Sequence, residues 1–193
     1  MSLKGTQTEK NLAMSFAGEC MARTRYTYFA EAAKKQGYEQ IAALFLETAE
    51  NEREHAKIFF NFLKQNGGTC VEVPAGVPLT GIGNTIENLK AAAAGEHEET
   101  EILYPQFAKD AEREGFKNIA RAYQLIGKVE KEHEIRYKTL LQQVESGSVF
   151  KRAKSMRWKC RNCGYVHEGV AAPKACPCCF FPQAYFELKE TLQ

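Results

Sequence analysis

Two segments of the chain repeat one arrangement of metal-ligating residue types. In the first segment, Glu19 follows an Ala-Gly pair and precedes the motif Glu52-x-x-His55. In the second, Glu96 follows an Ala-Gly pair and precedes Glu130-x-x-His133 at nearly the same spacing. A dinuclear carboxylate site in a four-helix bundle needs one Glu from each of two helices and a Glu-x-x-His from each of the other two. The repeat therefore predicts a two-metal site.

The ligand types favour iron. Carboxylates and imidazoles without a thiolate suit iron or manganese better than structural zinc, and we predict two iron ions. Side chains three residues apart share one helix face, so Glu99 reaches the same site as Glu96 and adds a ligand beyond the usual six. An anionic carboxylate suits an oxidised ion and a neutral imidazole a reduced one. We therefore expect Glu99 and His55 to compete for one iron as its charge changes.

Two tyrosines and two glycines accompany these residues. Tyr26 and Tyr104 follow the two lone glutamates by about two helical turns, so each phenol either hydrogen-bonds a ligand carboxylate or peroxide, or fills the core. Gly18 and Gly95 directly precede the same two glutamates. A glycine inside a helix costs roughly 1 kcal/mol relative to alanine, so each needs a structural reason. We predict close approach of a neighbouring helix at both glycines.

Four cysteines near the C-terminus form two C-x-x-C pairs, Cys160 with Cys163 and Cys176 with Cys179. Two such pairs predict one tetrahedral sulfur site, which either zinc or a single iron could occupy. Cys178 is an additional thiol inside the second pair, and the C-x-x-C register favours Cys179 as the ligand. A segment of this size buries little core, so we expect the metal to hold it together. Cys20 and Cys70 are interpreted as free thiols.

The helices that carry these residues have recognisable ends. The Thr6-x-x-Glu9 capping box predicts the start of the first helix and Gly37 its end. The other three are expected over residues 39–65 with Gly67-Gly68 as terminator, over 85–114 with a kink at Pro105, and over 117–145. Residues 67–84 contain five glycines and two prolines, which predicts the one long crossover of a ferritin-like bundle. We place the bundle at 1–147, a linker at 148–155 and a metal-held module at 156–193.

The bulk properties exclude some classes of function. The 193 residues carry a formal net charge of only +2, with bases and acids interspersed, so we expect no nucleic-acid partner. No apolar run approaches the length of a membrane span, and the first residues lack the apolar region of a signal peptide. These features predict a cytoplasmic protein without a membrane partner.

Together the motifs resemble those of the rubrerythrin family along essentially the whole chain. The matching segments are FAGE at 16–19, EREH at 52–55, AAGEHEE at 93–99, EKEH at 130–133, and CRNCGYVHEG followed by CPCC. The resemblance implies a mainly α fold: a ferritin-like four-helix bundle with a small C-terminal rubredoxin-like metal-bound β domain. It implies as diiron ligands Glu19, Glu52, His55, Glu96, Glu99, Glu130 and His133. Tyr26 and Tyr104 would lie in the surrounding shell, and one iron, replaceable by zinc, would be held by Cys160, Cys163, Cys176 and Cys179.

The activity that the resemblance implies is reduction of hydrogen peroxide to water, as protection against oxidative stress. Two ferrous ions can give one electron each, and the sulfur-bound iron can return them one at a time. No glycine pattern for a nicotinamide is visible, so the expected donor is external, either rubredoxin or an NAD(P)H-dependent reductase. A head-to-tail homodimer, or a higher oligomer built from it, is expected to let one subunit's sulfur site serve the other's diiron site.

Two alternatives stay open from the residues. The same bundle could be a ferroxidase that oxidises Fe(II) for storage, although storage has no evident need for the sulfur domain. A binding protein with an inert bundle and a zinc ribbon is the other alternative. It would bury several acids and imidazoles without metal, at a cost of several kcal/mol for each unpaired charge. We favour the peroxidase.

Overall fold

The computed structural model describes residues 2–65, 70–74, 76–80 and 82–189, and it is mainly α. The bundle contains α1 (Gln7–Lys35), α2 (Glu39–Gln65), α3 (Thr85–Glu98), α4 (Tyr104–Arg113) and α5 (Lys117–Glu145). A π-helical turn, Glu99–Leu103, joins α3 to α4, so the two form the third of four long rods. The predicted four-helix bundle followed by a small β domain is confirmed.

Local signals in the sequence fix most of the helix ends. The Thr6 side chain accepts a hydrogen bond from the Glu9 amide at 3.1 Å, which caps α1. Gly37 ends the same helix with φ of +83°, a left-handed conformation that glycine adopts without strain. Helices α2 and α5 have the predicted bounds. The proposed terminator of α2, Gly67-Gly68, lies outside the described residues.

The third rod differs from its prediction. Its irregularity is the π-helical turn Glu99–Leu103, which comes before Pro105 rather than at it. The Tyr104 amide donates to the Glu99 carbonyl, which is the longer reach of a π-helix. Pro105 then lies in the first turn of α4, where the hydrogen bond that it lacks is not needed. The turn adds one residue to the helix without breaking it.

Two apolar clusters fill the bundle. Between them lies a layer of buried glutamate and histidine side chains, the acidic layer. Tyr26 belongs to the cluster near the α1–α2 turn, and Tyr104 belongs to the cluster at the other end. The largest buried side chains of the first cluster include Phe29, Phe45 and Tyr137, and those of the second include Phe59 and Tyr123. The helices thereby hold polar side chains at mid-height in surroundings from which water is excluded.

The C-terminal domain is a three-stranded antiparallel sheet in the order β2-β1-β3. Its strands are β1 (Lys151–Cys160), β2 (Val166–Ala171) and β3 (Phe186–Leu188). Trp158 is fully buried and donates from its indole nitrogen to the Gly169 carbonyl at 2.9 Å. Strand β1 begins inside the segment predicted as a linker, and the division of the chain at 147 and 156 stays a prediction.

The sheet domain rests on the start of α2 in the same chain. The rings of Tyr38 and Phe150 stack with centroids 6.1 Å apart and planes 8° from parallel. The described parts of the crossover, 70–74, 76–80 and 82–84, contain neither helix nor strand. Among the described residues, no helix is both long and apolar enough to cross a membrane.

Candidate metal centres

Six side chains from the four rods converge in the acidic layer, and all six are buried. They form two groups of four whose ligand atoms lie within 4.8 Å of one another. One group is Glu19, Glu52, His55 and Glu130, and the other is Glu52, Glu96, Glu130 and His133. Glu52 and Glu130 belong to both groups. Such sharing is what two metal ions bridged by two carboxylates require.

The interatomic distances show how the sharing arises. His55 Nδ1 lies 2.8 Å from Glu52 Oε2 and 2.9 Å from Glu130 Oε1. His133 Nδ1 lies 3.2 Å from Glu52 Oε1 and 2.8 Å from Glu130 Oε2. Each of these two carboxylates therefore turns one oxygen to each imidazole. Glu19 and Glu96 lie further out, 3.9 Å from His55 Nδ1 and 3.8 Å from His133 Nδ1 respectively.

Each outer carboxylate is held by one tyrosine. Tyr104 donates from its hydroxyl to Glu19 Oε1, and Tyr26 donates to Glu96 Oε1, both at 2.5 Å. The structure thus brings both tyrosines to the ligand carboxylates, and their rings also fill the two apolar clusters. Such hydrogen bonds orient carboxylates that bind metal.

Glu99, the first residue of the π-helical turn, lies beside the two groups of four and belongs to neither of them. Its Oε1 faces Gly18, where an added Cβ would lie 3.9 Å away. Around Gly95, an added Cβ would meet none of the described atoms within 4 Å. The predicted close approach of a neighbouring helix is therefore wrong at Gly95, and at Gly18 the Glu99 side chain lies only at ordinary contact distance.

The carboxylates disturb one another's titration. Burial, followed by the charge of Glu99, raises the pKa of Glu19 well above its ordinary value. Burial also raises the pKa of Glu96 to about 8, and burial followed by the charge of Glu96 raises that of Glu99. Burial raises the pKa of Glu52 too, but the nearby imidazoles outweigh it and the net shift is downward. Cations at this position would relieve the repulsion among these acids.

The two imidazoles respond in the opposite sense. Burial alone would lower the pKa of each, but the close carboxylates of Glu130 and Glu52 outweigh it. The pKa of His55 rises to about 9 and that of His133 to about 12. Both shifts report how strongly the site attracts positive charge.

Several buried atoms in the site lack partners. Among the described residues, Glu19 Oε2, Glu52 Oε1, Glu96 Oε2, both oxygens of Glu130 and His133 Nδ1 make no hydrogen bond. Some of these atoms lie near one another, as Glu130 Oε2 and His133 Nδ1 do, but without the directions of a hydrogen bond. Lone pairs that converge in this way fit metal ions between them, because an unpaired buried polar group is otherwise costly. The donor set suits iron.

The four predicted cysteines meet in the sheet domain. The Sγ atoms of Cys160 and Cys179 are 3.8 Å apart, and those of Cys163 and Cys176 are 3.7 Å apart. Four thiolates at about 2.3 Å from one tetrahedral ion would be about 3.8 Å from each other. All four Sγ atoms lie within 4.8 Å of one another, so they fit one ion.

Two turns of the same design present these thiols. The Gly164 amide donates to the Cys160 carbonyl, and the Phe180 amide donates to the Cys176 carbonyl, both at 2.9 Å. A hydrogen bond from the Asn162 side chain is the largest influence on Cys179 and helps to lower its pKa to about 6, which favours the thiolate. Cys178 is exposed and outside the group, and Cys20 and Cys70 are exposed free thiols.

Two features were missed from the sequence. Asn51 Oδ1 lies 3.3 Å from His133 Nε2 and so orients the ring, but no sequence signal pairs residues on α2 and α5. Glu134 is buried beside His133 and pairs with His97, Lys131 and Lys138. The contacts with Lys138 and Lys131 lower its pKa to about 2 against the effect of burial. The His97 side chain in this group is exposed.

Comparison with known proteins agrees with this geometry. The rubrerythrin family profile matches residues 10–141, and the profile of the rubrerythrin rubredoxin-like domain matches residues 158–187. Rubrerythrin of Porphyromonas gingivalis is 59% identical over 190 residues, which cover 98% of this chain and 94% of that protein. Rubrerythrin of Clostridium perfringens is 54% identical over 98% of both chains.

A solved structure of partially reduced nigerythrin is similar in three dimensions. It is 30% identical, with a TM-score of 0.63 over 97% of this chain and 92% of that one. The ferritin-like bundle and the rubredoxin-like domain are confirmed, as are a candidate diiron site of Glu and His residues and a candidate four-cysteine site. Because both profiles match in order and full-length relatives share half or more of its residues, this chain belongs to the rubrerythrin family.

Proposed function

We propose that this chain is a non-haem diiron peroxidase that reduces hydrogen peroxide to water in the cytoplasm and protects against oxidative stress. The sharing of Glu52 and Glu130 between two ligand groups in a buried layer carries the proposal. Family membership supports an oxidoreductase, and the four-cysteine domain in the same chain supports a reductive reaction. A ferroxidase would use the same bundle but has no evident need for that domain.

The residues have distinct proposed roles. Glu19 and His55 would bind one iron, Glu96 and His133 the other, and Glu52 and Glu130 would bridge them. Glu99 is proposed as a ligand exchanged with His55 when the metal is oxidised, since it lies beside the site and outside both groups. Cys160, Cys163, Cys176 and Cys179 are the proposed ligands of the third iron.

When bound, two ferrous ions supply the two electrons that cleave the O–O bond. The chain prepares the site for this reaction. Tyr104 and Tyr26 fix the outer carboxylates by hydrogen bonds, so Glu19 and Glu96 keep their positions as the metal charge changes. The rings of Phe59 and Phe45 belong to the clusters above and below the acidic layer and exclude water there.

The electrons are proposed to return through the sulfur-bound iron from an external donor, either rubredoxin or an NAD(P)H-dependent reductase. In its own chain the sheet domain rests at Tyr38, at the start of α2. Glu52 lies about 20 Å further along that helix at 1.5 Å per residue. A head-to-tail homodimer that brings the partner's sulfur site near would shorten this path.

Anaerobic spectroscopy tests the function. The iron-loaded chain would be reduced with dithionite and mixed with one equivalent of hydrogen peroxide or of dioxygen. We expect the ferric-thiolate absorption to bleach and then to return faster with peroxide than with dioxygen. Glu130→Ala should abolish the fast return, whereas Glu132→Ala, an exposed residue on the same helix, should retain it. A faster return with dioxygen would favour the ferroxidase instead.

A further inference from the structure

A cavity of about 290 Å³ opens beside the proposed diiron site. Helix α1, the rod of α3 and α4, and described parts of the crossover form its walls. Glu99, Tyr26 and Tyr104 line it, so it reaches both the acidic layer and the phenols that hold the outer carboxylates. A molecule in this cavity would therefore have direct access to the reacting centre.

The two glycines of the repeated motif keep this space open. Gly18 and Gly95 both line the cavity, one on α1 and one on α3. A Cβ at Gly95 would project into open space, and one at Gly18 would come 3.9 Å from Glu99 Oε1. Since each glycine costs its helix roughly 1 kcal/mol relative to alanine, open volume explains their presence where close helix packing does not.

The cavity is larger and less polar than hydrogen peroxide needs. A water molecule occupies about 30 Å³ of liquid volume, and hydrogen peroxide is only slightly larger. Ser15, Arg25 and Glu98 also line the cavity, but most of its other walls are apolar and include Met14, Met21, Leu103 and Phe107. Methionine side chains adapt to apolar ligands of different shapes. One end thus suits a hydroperoxide group and the other an alkyl or aryl group.

We propose that this cavity admits small organic hydroperoxides, with the hydroperoxide group toward Glu99 and the organic group against Met14 and Met21. The inference rests on the proposed function and names a second substrate class for it. In the reaction the O–O bond of ROOH breaks, and two electrons and two protons are taken up to give ROH and water. The electrons are the two that the ferrous diiron centre supplies.

Binding can be tested without turnover. Cumyl alcohol, the product of cumene hydroperoxide, would be titrated into the zinc-loaded full chain carrying ¹³C-methyl methionine. We expect the methyl signals of Met14 and Met21 to shift in a saturable manner. The signal of Met156, which lies on β1 away from the cavity, should stay unchanged. Unchanged signals for all three would overturn the proposal.

Kinetics with a matched pair of variants tests selectivity. Met21→Trp fills the apolar end, so it should slow reoxidation of the reduced chain by cumene hydroperoxide at least about tenfold, the scale of discrimination by pocket size. Reoxidation by hydrogen peroxide should be unchanged, and Met156→Trp should alter neither rate. Equal slowing of both peroxides would overturn the selectivity.

The outcomes distinguish failure of this inference from failure of the proposed peroxidase function. Reaction of the parent chain with hydrogen peroxide but not with cumene hydroperoxide would overturn the inference and leave the peroxidase proposal intact. Reaction with neither peroxide would overturn both proposals, whether or not cumyl alcohol binds in the cavity.

Discussion

At the scale of single residues, one phenol on each side of the proposed diiron site holds an outer carboxylate. Tyr104→Phe removes the donor to Glu19 and leaves a buried oxygen unpaired. We expect iron affinity, measured by competition with a chelator, to fall about tenfold. This is the lower end of the loss expected when the hydrogen-bond partner of a metal ligand is removed. Tyr123→Phe is the matched control, because Tyr123 is as deeply buried but contacts Ser15 instead of a ligand. Equal losses in both variants would contradict an orienting role.

The second cysteine turn contains a strained residue. Phe180 has φ of +63°, whereas Gly164 occupies the corresponding position of the first turn with φ of +80°. A left-handed conformation costs a residue with a side chain roughly 1–2 kcal/mol. The Phe180 ring is 83% exposed and gains little from packing.

Phe180→Gly should therefore stabilise the metal-bound sheet domain by about 1 kcal/mol. Urea unfolding of the metal-loaded chain measures it through the fluorescence of Trp158, the only tryptophan. Gly164→Ala should lower the urea midpoint, because alanine is strained in the left-handed conformation of Gly164. A destabilised Phe180→Gly variant would show that the ring contributes more than its backbone costs.

At the scale of helices, Glu114 ties the end of α4 to the start of α1. Its carboxylate accepts from the Gln7 and Thr8 amides at 3.0 and 2.9 Å, and from the Thr8 hydroxyl. Burial opposes the charged form, but the hydrogen bonds from Thr8 outweigh it and the pKa of Glu114 is lowered. A group with a folded-state pKa below its unfolded value stabilises the protein above the unfolded pKa. That contribution disappears as pH falls through the folded pKa.

Glu114→Gln should accordingly lower the free energy of unfolding by about 1 kcal/mol at pH 7. The difference from the parent chain should shrink as pH falls below about 4, where the parent carboxylate is protonated. Urea unfolding followed by circular dichroism at several pH values measures both effects. Glu112→Gln, an exposed neighbour, should be neutral throughout. A pH-independent difference would contradict the charge-based explanation.

Helix ends and the ligand groups were predictable because local rules govern them. Capping at Thr6 and the Glu-x-x-His spacing depend on the fixed periodicity of a helix. The π-helical turn was not predictable, since an inserted residue leaves the surrounding pattern helical and Pro105 was the only visible interruption. Asn51 beside His133 and the space beside Gly95 depend on distances between helices that are remote in sequence.

At the scale of the whole molecule, the two domains carry net charges of opposite sign. Residues 150–193 contain eight Lys or Arg and three Glu, whereas the total over the chain is only +2. The bundle therefore has a net negative charge, and the sheet domain is basic. Attraction between the basic sheet domain and the negatively charged bundle favours association of one copy's sheet domain with another copy's bundle. Salt weakens such attraction.

Mixed dimers test whether electrons cross between subunits as proposed. A Glu52→Ala chain keeps its four metal-binding cysteines, and a Cys160→Ser chain keeps its diiron ligands. The heterodimer of the two chains is purified through different tags. If electrons pass between subunits, the sulfur site of the Glu52→Ala chain can serve the diiron site of the Cys160→Ser chain. Turnover should reach about half that of the parent dimer, as the symmetry of a two-fold pair dictates.

The converse heterodimer distinguishes the two routes. It pairs the parent chain with a chain that carries both Glu52→Ala and Cys160→Ser. Each intact centre then faces a damaged one across the dimer, so transfer between subunits predicts no turnover, whereas transfer within a chain predicts about half. Because both heterodimers contain the same number of intact centres, a difference in their turnover reports the route and not the metal content. Activity only in the converse heterodimer would place the relay within one chain.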